Sequence, residues 1–255
     1  MNERQEDVLR WIVEEYVRAA EPIGSKVLCE KYAPSLSPAT IRNAMAVLEE
    51  EDYVRSPHPS AGRIPTEKGY AYYLRRFVRP QRVRGADHRL SDALEHTAND
   101  EVALKQLARA LVDLSGETAV AAFGSGWSYC AGVSNLFQKP ECGDLELVRD
   151  LSCVLDRFDE VMEALFGLLS REPQVLLGTE NPFGEEMAAV LVKHVLPNHR
   201  VGIIGLVGPL RMDYARNLGL IGEAKDVLER SSPLSGRHSF HQKSTEDDYE
   251  SPTSF

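Results

Sequence analysis

The first third of the chain carries apolar positions at a helical period. Val8, Ile12 and Tyr16, joined by Leu9 and Val13, form one apolar face of a helix predicted from about Glu3 to Ala20. Asn2 stands at its N-cap and Gln5 at the reciprocal capping-box position. Glu21-Pro22-Ile23-Gly24 ends this helix, because proline removes a donor and glycine permits unusual dihedrals. Ser25 is placed to cap a short second helix through about Tyr32, and Ala33-Pro34-Ser35-Leu36 forms the turn. Ser37 caps a third helix with Pro38 at its first position, where a missing N–H does no harm. Ile41, Ala44, Met45 and Leu48 share the inner face of that helix; Ala39 and Asn43, flanked by Thr40 and Arg42, fall on the opposite face. Tyr53 to Pro65 reads as two short strands around Pro59-Ser60-Ala61-Gly62. Thr66 caps a fourth helix, Glu67 to about Val78, with Tyr70, Tyr73 and Phe77 turned inward and Arg75, Arg76 and Arg79 along the exposed side.

Beyond it, Pro80 to Arg89 is polar, basic and aperiodic, as in a linker. Leu90 to Leu114 has a helical pattern, and Thr118 to Gly124 and Val133 to Phe137 look like strands around Gly124-Ser125-Gly126-Trp127. Leu147, Leu151, Leu155, Phe158, Met162, Leu165 and Leu169 predict one long amphipathic helix over Leu145 to Leu169. Val175 to Leu177 and Val201 to Val207 are short apolar strands, and Tyr214 to Glu229 is a final helix. Strands mixed irregularly with helices predict an α+β domain. From Ser231 to Phe255 the chain is rich in Ser, Asp, Glu and His and poor in apolar residues, the composition of a disordered tail. The expected organisation is therefore a helical reader over 1–79, a linker over 80–89, an α+β domain over 90–230 and a tail over 231–255.

A length of 255 residues is enough for two modest domains, each with its own core. The net charge of −10 is unevenly placed: residues 1–80 hold 12 Lys/Arg against 12 Asp/Glu, and residues 81–255 hold 17 against 27. Within 53–84 stand Arg55, Arg63, Lys68, Arg75, Arg76, Arg79, Arg82 and Arg84 against Glu67 alone, a local positive footprint inside an acidic chain. No apolar run approaches the roughly 20 residues of a membrane span. The acidic amphipathic N-terminus is unlike a signal peptide, so the expected location is the cytoplasm, with no membrane partner. Cys29, Cys130, Cys142 and Cys153 make no C-x-x-C pair and have no histidine at zinc-ligand spacing; free, mostly buried thiols are expected.

A capped helix followed at once by a small basic hairpin has the pattern of a winged helix-turn-helix. On the outer face of the third helix Asn43 can pair bidentately with adenine and Arg42 with guanine, while Thr40 and Ala39 can touch a thymine methyl. Arg55, His58 and Arg63 of the hairpin can meet phosphate or enter the minor groove. The candidate DNA-binding set is Ser37, Ala39, Thr40, Arg42, Asn43, Arg55, His58, Ser60 and Arg63. The glutamate triplet Glu49-Glu50-Glu51 is a solvated helix end without a further role. Three helices and a hairpin also build domains that bind only proteins, and the pattern leaves that alternative open.

Four segments carry a resemblance. Pro22 to Lys26, Ser37 to Met45, Leu48 to Glu50 and Pro57 to Thr66 closely resemble the N-terminal domain of the bacterial heat-inducible transcription repressor family HrcA, nearly continuously from Val8 to Tyr72. Gly132 to Glu141, Gly178 to Pro182 and Gly208 to Tyr214 are similar to further family segments, in the family's order. The resemblance implies a GAF-like fold for the α+β domain. It also implies a homodimer that binds an inverted-repeat operator in front of chaperone genes and is kept active by the chaperonin. The chain departs from the family in one place: only eight residues separate Phe123 from Gly132, so the inserted domain that helps family members dimerise is expected to be missing.

No catalytic constellation is present. Ser128, Ser134 and Ser152 lack the setting of a nucleophile elbow, and His194 and His199 lack the spacing and glutamate of a zinc protease. Gly124-Ser125-Gly126-Trp127 is a turn and not a phosphate loop, His238 and His241 belong to the tail, and no cofactor or metal is expected. Asp213 suits a helix start, with Arg211 available for a structural ion pair.

Overall fold

The structure, a computed structural model, describes residues 1–59, 61–95, 97, 99–124, 126–143, 145–196 and 200–230. Ser60, His199 and the predicted tail over 231–255 lie outside them.

Four helices and a two-stranded hairpin make the N-terminal half: α1 (Glu3–Ala19), α2 (Ser25–Tyr32), α3 (Pro38–Glu50), β1 (Val54–Arg55), β2 (Ile64–Pro65) and α4 (Glu67–Phe77). The capping box at α1 is formed: Gln5 N donates to Asn2 Oδ1 at 3.0 Å and Asn2 N to Gln5 Oε1 at 2.7 Å. Ser37 caps α3 and Thr66 caps α4, but α2 is capped by Gly24 with no side-chain bond, so Ser25 does not play the expected part. The C-terminus of α3 closes as a Schellman turn, with Asp52 in the left-handed region at φ 59°. Tyr53 N there donates to Leu48 O at 2.8 Å and Asp52 N to Glu49 O at 3.0 Å. Buried Glu15 fastens α2 to α1, accepting from Lys31 at 2.5 Å and Tyr32 at 2.7 Å. The Lys31 bond leads the effects that hold its carboxyl below the usual range, against desolvation.

The hairpin is seated by its neighbours. Arg55 pairs with Ile64 and Val54 with Pro65, and Arg63 exchanges two backbone hydrogen bonds of 2.9 Å with Ile23 between α1 and α2. This close approach demands glycine at position 62, because a Cβ there would lie 2.4 Å from the Ile23 carbonyl carbon.

The C-terminal half is a five-stranded antiparallel sheet in the order β4-β3-β7-β6-β5, formed by β3 (Thr118–Phe123), β4 (Trp127–Ala131), β5 (Gln174–Leu177), β6 (Met187–Val195) and β7 (Val201–Pro209). One face carries Ala121, Val190, Val192, Ile204 and Leu206 against α5 (Ala86–Leu94), α6 (Asp100–Ser115) and α10 (Tyr214–Arg230). The other carries Val120, Ala122, Ala189, Leu191 and Ile203 toward α7 (Val133–Phe137) and α9 (Phe158–Leu168), with α8 (Leu145–Asp156) between these two in the chain. The first of these cores is continuous with that of the N-terminal half. This is an α+β fold, consistent with a GAF-like domain.

Several expected boundaries are corrected. Val133–Phe137 is a short helix, not a strand, because β3 pairs with Trp127–Ala131 instead. The pattern over Leu90 to Leu114 divides into α5 and α6, and the one over Leu145 to Leu169 divides at Arg157 into α8 and α9. β6 was not expected: with both faces of the sheet covered, its Met187-Ala-Ala-Val-Leu-Val192 run does not alternate. The supposed linker is docked, with Gln81 N donating to Ala215 O at 2.8 Å and Val83 N to Glu223 Oε1 at 3.3 Å, and it becomes helical at Ala86. Of the cysteines, Cys29 is buried and Cys130 partly buried, but Cys153 is exposed. No helix among the described residues is long and apolar enough to cross a membrane.

Candidate nucleic-acid interface

The outer face of α3 is built by its inner one. Ile41, Ala44, Met45 and Leu48 are buried against α1 and α2, and the 3.6-residue period then turns Ala39, Arg42 and Asn43 to solvent. Ser37 Oγ accepts from Thr40 N at 3.1 Å and lies 2.9 Å from Thr40 Oγ1, so both hydroxyls are partly engaged at the helix start. Neither Arg42 nor Asn43 has a hydrogen bond or ion pair among the described residues. At the far end Lys68 Nζ donates to Glu51 O at 2.7 Å and sits 4.6 Å from the Tyr53 ring centre, closing the last turn with a cation at the negative end of the dipole.

The hairpin residues are less alike than their spacing promised. His58 is exposed, and its carbonyl accepts from Ser56 Oγ at 2.7 Å. Arg63 is half-buried and paired with Glu49 at 2.7 Å, its guanidinium also reaching Ala61 O at 3.2 Å. The glutamate end of α3 therefore has a role that the sequence did not reveal: it ties the hairpin to the helix. No sequence signal marks this pair, whose members lie on different elements outside any helical spacing.

Arg55 lines a cleft of about 1070 Å³ between the two halves. Burial is the chief reason the Tyr16 phenol on its wall is pushed up, with Glu141 adding to the shift and Arg211 and Arg55 opposing it. The three resemblance segments of the C-terminal half meet here, contributing Glu141, Gly178 with Asn181, and Pro209 with Arg211. Gly178 lies so close beneath Glu67 of α4 that a Cβ would meet the carboxyl carbon at 1.9 Å. Arg211 forms the expected ion pair, holding Glu141 at 2.5 Å, and Asp213 Oδ1 caps α10 by accepting from Arg216 N at 3.1 Å. Beyond the Arg211–Glu141 pair, Asp52, Glu67, Glu185 and Glu186 face Arg55 and Arg157. Such a lining has no positive excess with which to draw in phosphate.

The class is thus an α+β chain in which a helical head with an exposed capped helix is packed on a five-stranded domain. A crystal structure of a hypothetical protein has the same fold, with a TM-score of 0.71 at 19% identity, over 90% of this chain and 97% of that one. The family described as HrcA protein C terminal domain matches residues 68–218, and the chain belongs to that family. Its relatives include the heat-inducible transcription repressor HrcA of Parafrankia sp. strain EAN1pec, 41% identical over 126 residues, which are 49% of this chain and 37% of that protein. The repressor of the same name from Bifidobacterium animalis subsp. lactis strain AD011 is 44% identical over 118 residues, 46% of this chain and 32% of its own length. The chain thus spans about a third of the length of these curated relatives. The HrcA of Halalkalibacterium halodurans aligns over 339 residues at 25% identity, covering 92% of this chain and 98% of itself. That relative therefore holds about a hundred positions with no counterpart in these 255 residues.

Proposed function

We propose that the protein is a sequence-specific, double-stranded-DNA-binding transcriptional repressor of heat-shock genes. On this reading residues 1–79 are a winged helix-turn-helix, 90–230 a GAF-like regulatory domain, and the operator an inverted repeat bound by two copies. The supporting observation is the outer face of α3: Ala39, Arg42 and Asn43 are exposed on a rigid, capped helix whose opposite face is fully packed. Thr40, Arg42 and Asn43 are the base-contacting residues, with His58 and the hairpin on the backbone. The relatives' shared name supports repression of heat-inducible genes, and the chaperonin is the proposed partner that keeps the repressor active.

Arg42→Ala is expected to weaken operator binding by about 1–3 kcal/mol and to relax discrimination at one base pair, if its contact is bidentate. Gel-shift titration at fixed salt reads both quantities, and equal affinity of the two proteins for operator would defeat the assignment. A second reading, a protein-interaction module without high-affinity operator binding, is favoured by two observations: Arg63 is engaged by Glu49, and Arg55 lines the cleft. A palindromic site bound no better than a single half-site would support that reading.

A further inference from the structure

Arg211 stands where three distant segments of the chain meet. Its Nε and Nη2 hold the two carboxylate oxygens of Glu141 at 2.5 and 3.3 Å, and its Nη1 donates to Val17 O at 2.9 Å. Val17 lies in the last turn of α1, where carbonyls have no amide partner within the helix. A cation there is also favoured by the helix dipole. Glu141 belongs to the 3-10 turn Pro140–Gly143 directly before α8, and Arg211 to the loop between β7 and α10. Arg211 is only 13% exposed and Glu141 22%, so the pair is shielded from salt more than a surface contact would be.

The surrounding contacts give this junction its meaning. Tyr70 of α4 stacks edge-on against Tyr214 of α10 at 5.9 Å, and both rings are buried. Tyr70 also lines the cleft, together with Arg55 of the hairpin, Cys153 and Arg157. The planar guanidinium reaches both partners at once, which a lysine ammonium, a point charge on a flexible stem, does not reproduce.

We propose that Arg211 is a positioning latch. Through it, displacement of the 3-10 turn that carries Glu141 by a partner or ligand of the regulatory half is transmitted to α1, and so to the orientation of the DNA-reading head. The regulatory meaning rests on the DNA-binding reading above; the mechanical coupling does not. The two are tested separately on the full chain with Arg211→Lys and Glu141→Gln.

Hydrogen–deuterium exchange without DNA tests the latch. In both variants, exchange in the last turn of α1 and in the first turns of α10 is expected to quicken about tenfold while α6 is unchanged, as for local opening at one interface. Unchanged exchange at α1 and α10 overturns the latch, and so does a uniform rise that includes α6, which marks a merely structural pair. Binding to a palindromic duplex and to its single half-site then tests the regulatory meaning. The variants are expected to lose about tenfold of the palindrome's advantage and to keep half-site affinity, because the α3 face is untouched. Wild type that binds neither duplex removes the DNA reading while the exchange result still decides the latch. Wild type that favours the palindrome, with variants equal to it, overturns the transmitted regulation.

Discussion

His194 makes the stability of the sheet sensitive to acid in a calculable way. It lies in β6 opposite Gly202, wholly buried, and neither ring nitrogen has a hydrogen-bond partner among the described residues. The ring fills the space above the Gly202 backbone so closely that a Cβ there would meet it at 2.6 Å. Burial depresses its pKa from 6.5 to about 3, so the imidazole is neutral in the fold at every mild pH. In the unfolded chain the same group takes up a proton below its ordinary pKa. The stability tied to the neutral ring is therefore complete above about pH 6.5 and is lost progressively as pH falls toward 3. Between about pH 7.5 and 5.5 the loss is about 1.4 kcal/mol, from the unit-by-unit cost of excluding the proton. Urea unfolding at the two pH values, on the wild type and on His194→Phe, isolates this contribution, because every other titrating group cancels in the difference. The variant should lack that part of the pH dependence. Parallel changes in the two proteins would refute the burial argument.

Two further outcomes follow from the hairpin. Gly62→Ala should cost about 1–3 kcal/mol of stability, because the added methyl has only the Ile23 backbone to displace, and thermal melts compared with the wild type will read it. Glu49→Gln should release Arg63 from its ion pair; if the freed guanidinium then meets phosphate, the dependence of log binding constant on log salt steepens by about 0.9, and an unchanged slope in a salt titration of operator affinity would show that Arg63 stays off the DNA.

The head was legible because its signals are local. A cap and the residue it bonds lie three positions apart, as Ser37 and Thr40 do, and an apolar face repeats within a helix, as Ile41 to Leu48 does. The exposed positions of α3 follow from that period without knowledge of anything packed behind it. The C-terminal half was legible in class but not in layout. A central strand covered on both faces loses the alternation by which strands are recognised, so β6 passed unseen, and breaks such as the one at Arg157 are too slight to interrupt an apolar period.

By itself, then, the sequence determined where the head's helices begin and end, which face of α3 is bare, and where positive charge gathers in an acidic chain. Each of these depends on neighbours a few bonds or one helical turn away. Only the tertiary structure decided that Arg63 answers to Glu49, that Arg55 faces a cleft, and that Arg211 joins Val17 to Glu141. The physical reason is that an ion pair needs only closeness in space. Many acids and bases in the chain could satisfy each other equally well, and the packing of the two halves selects among them.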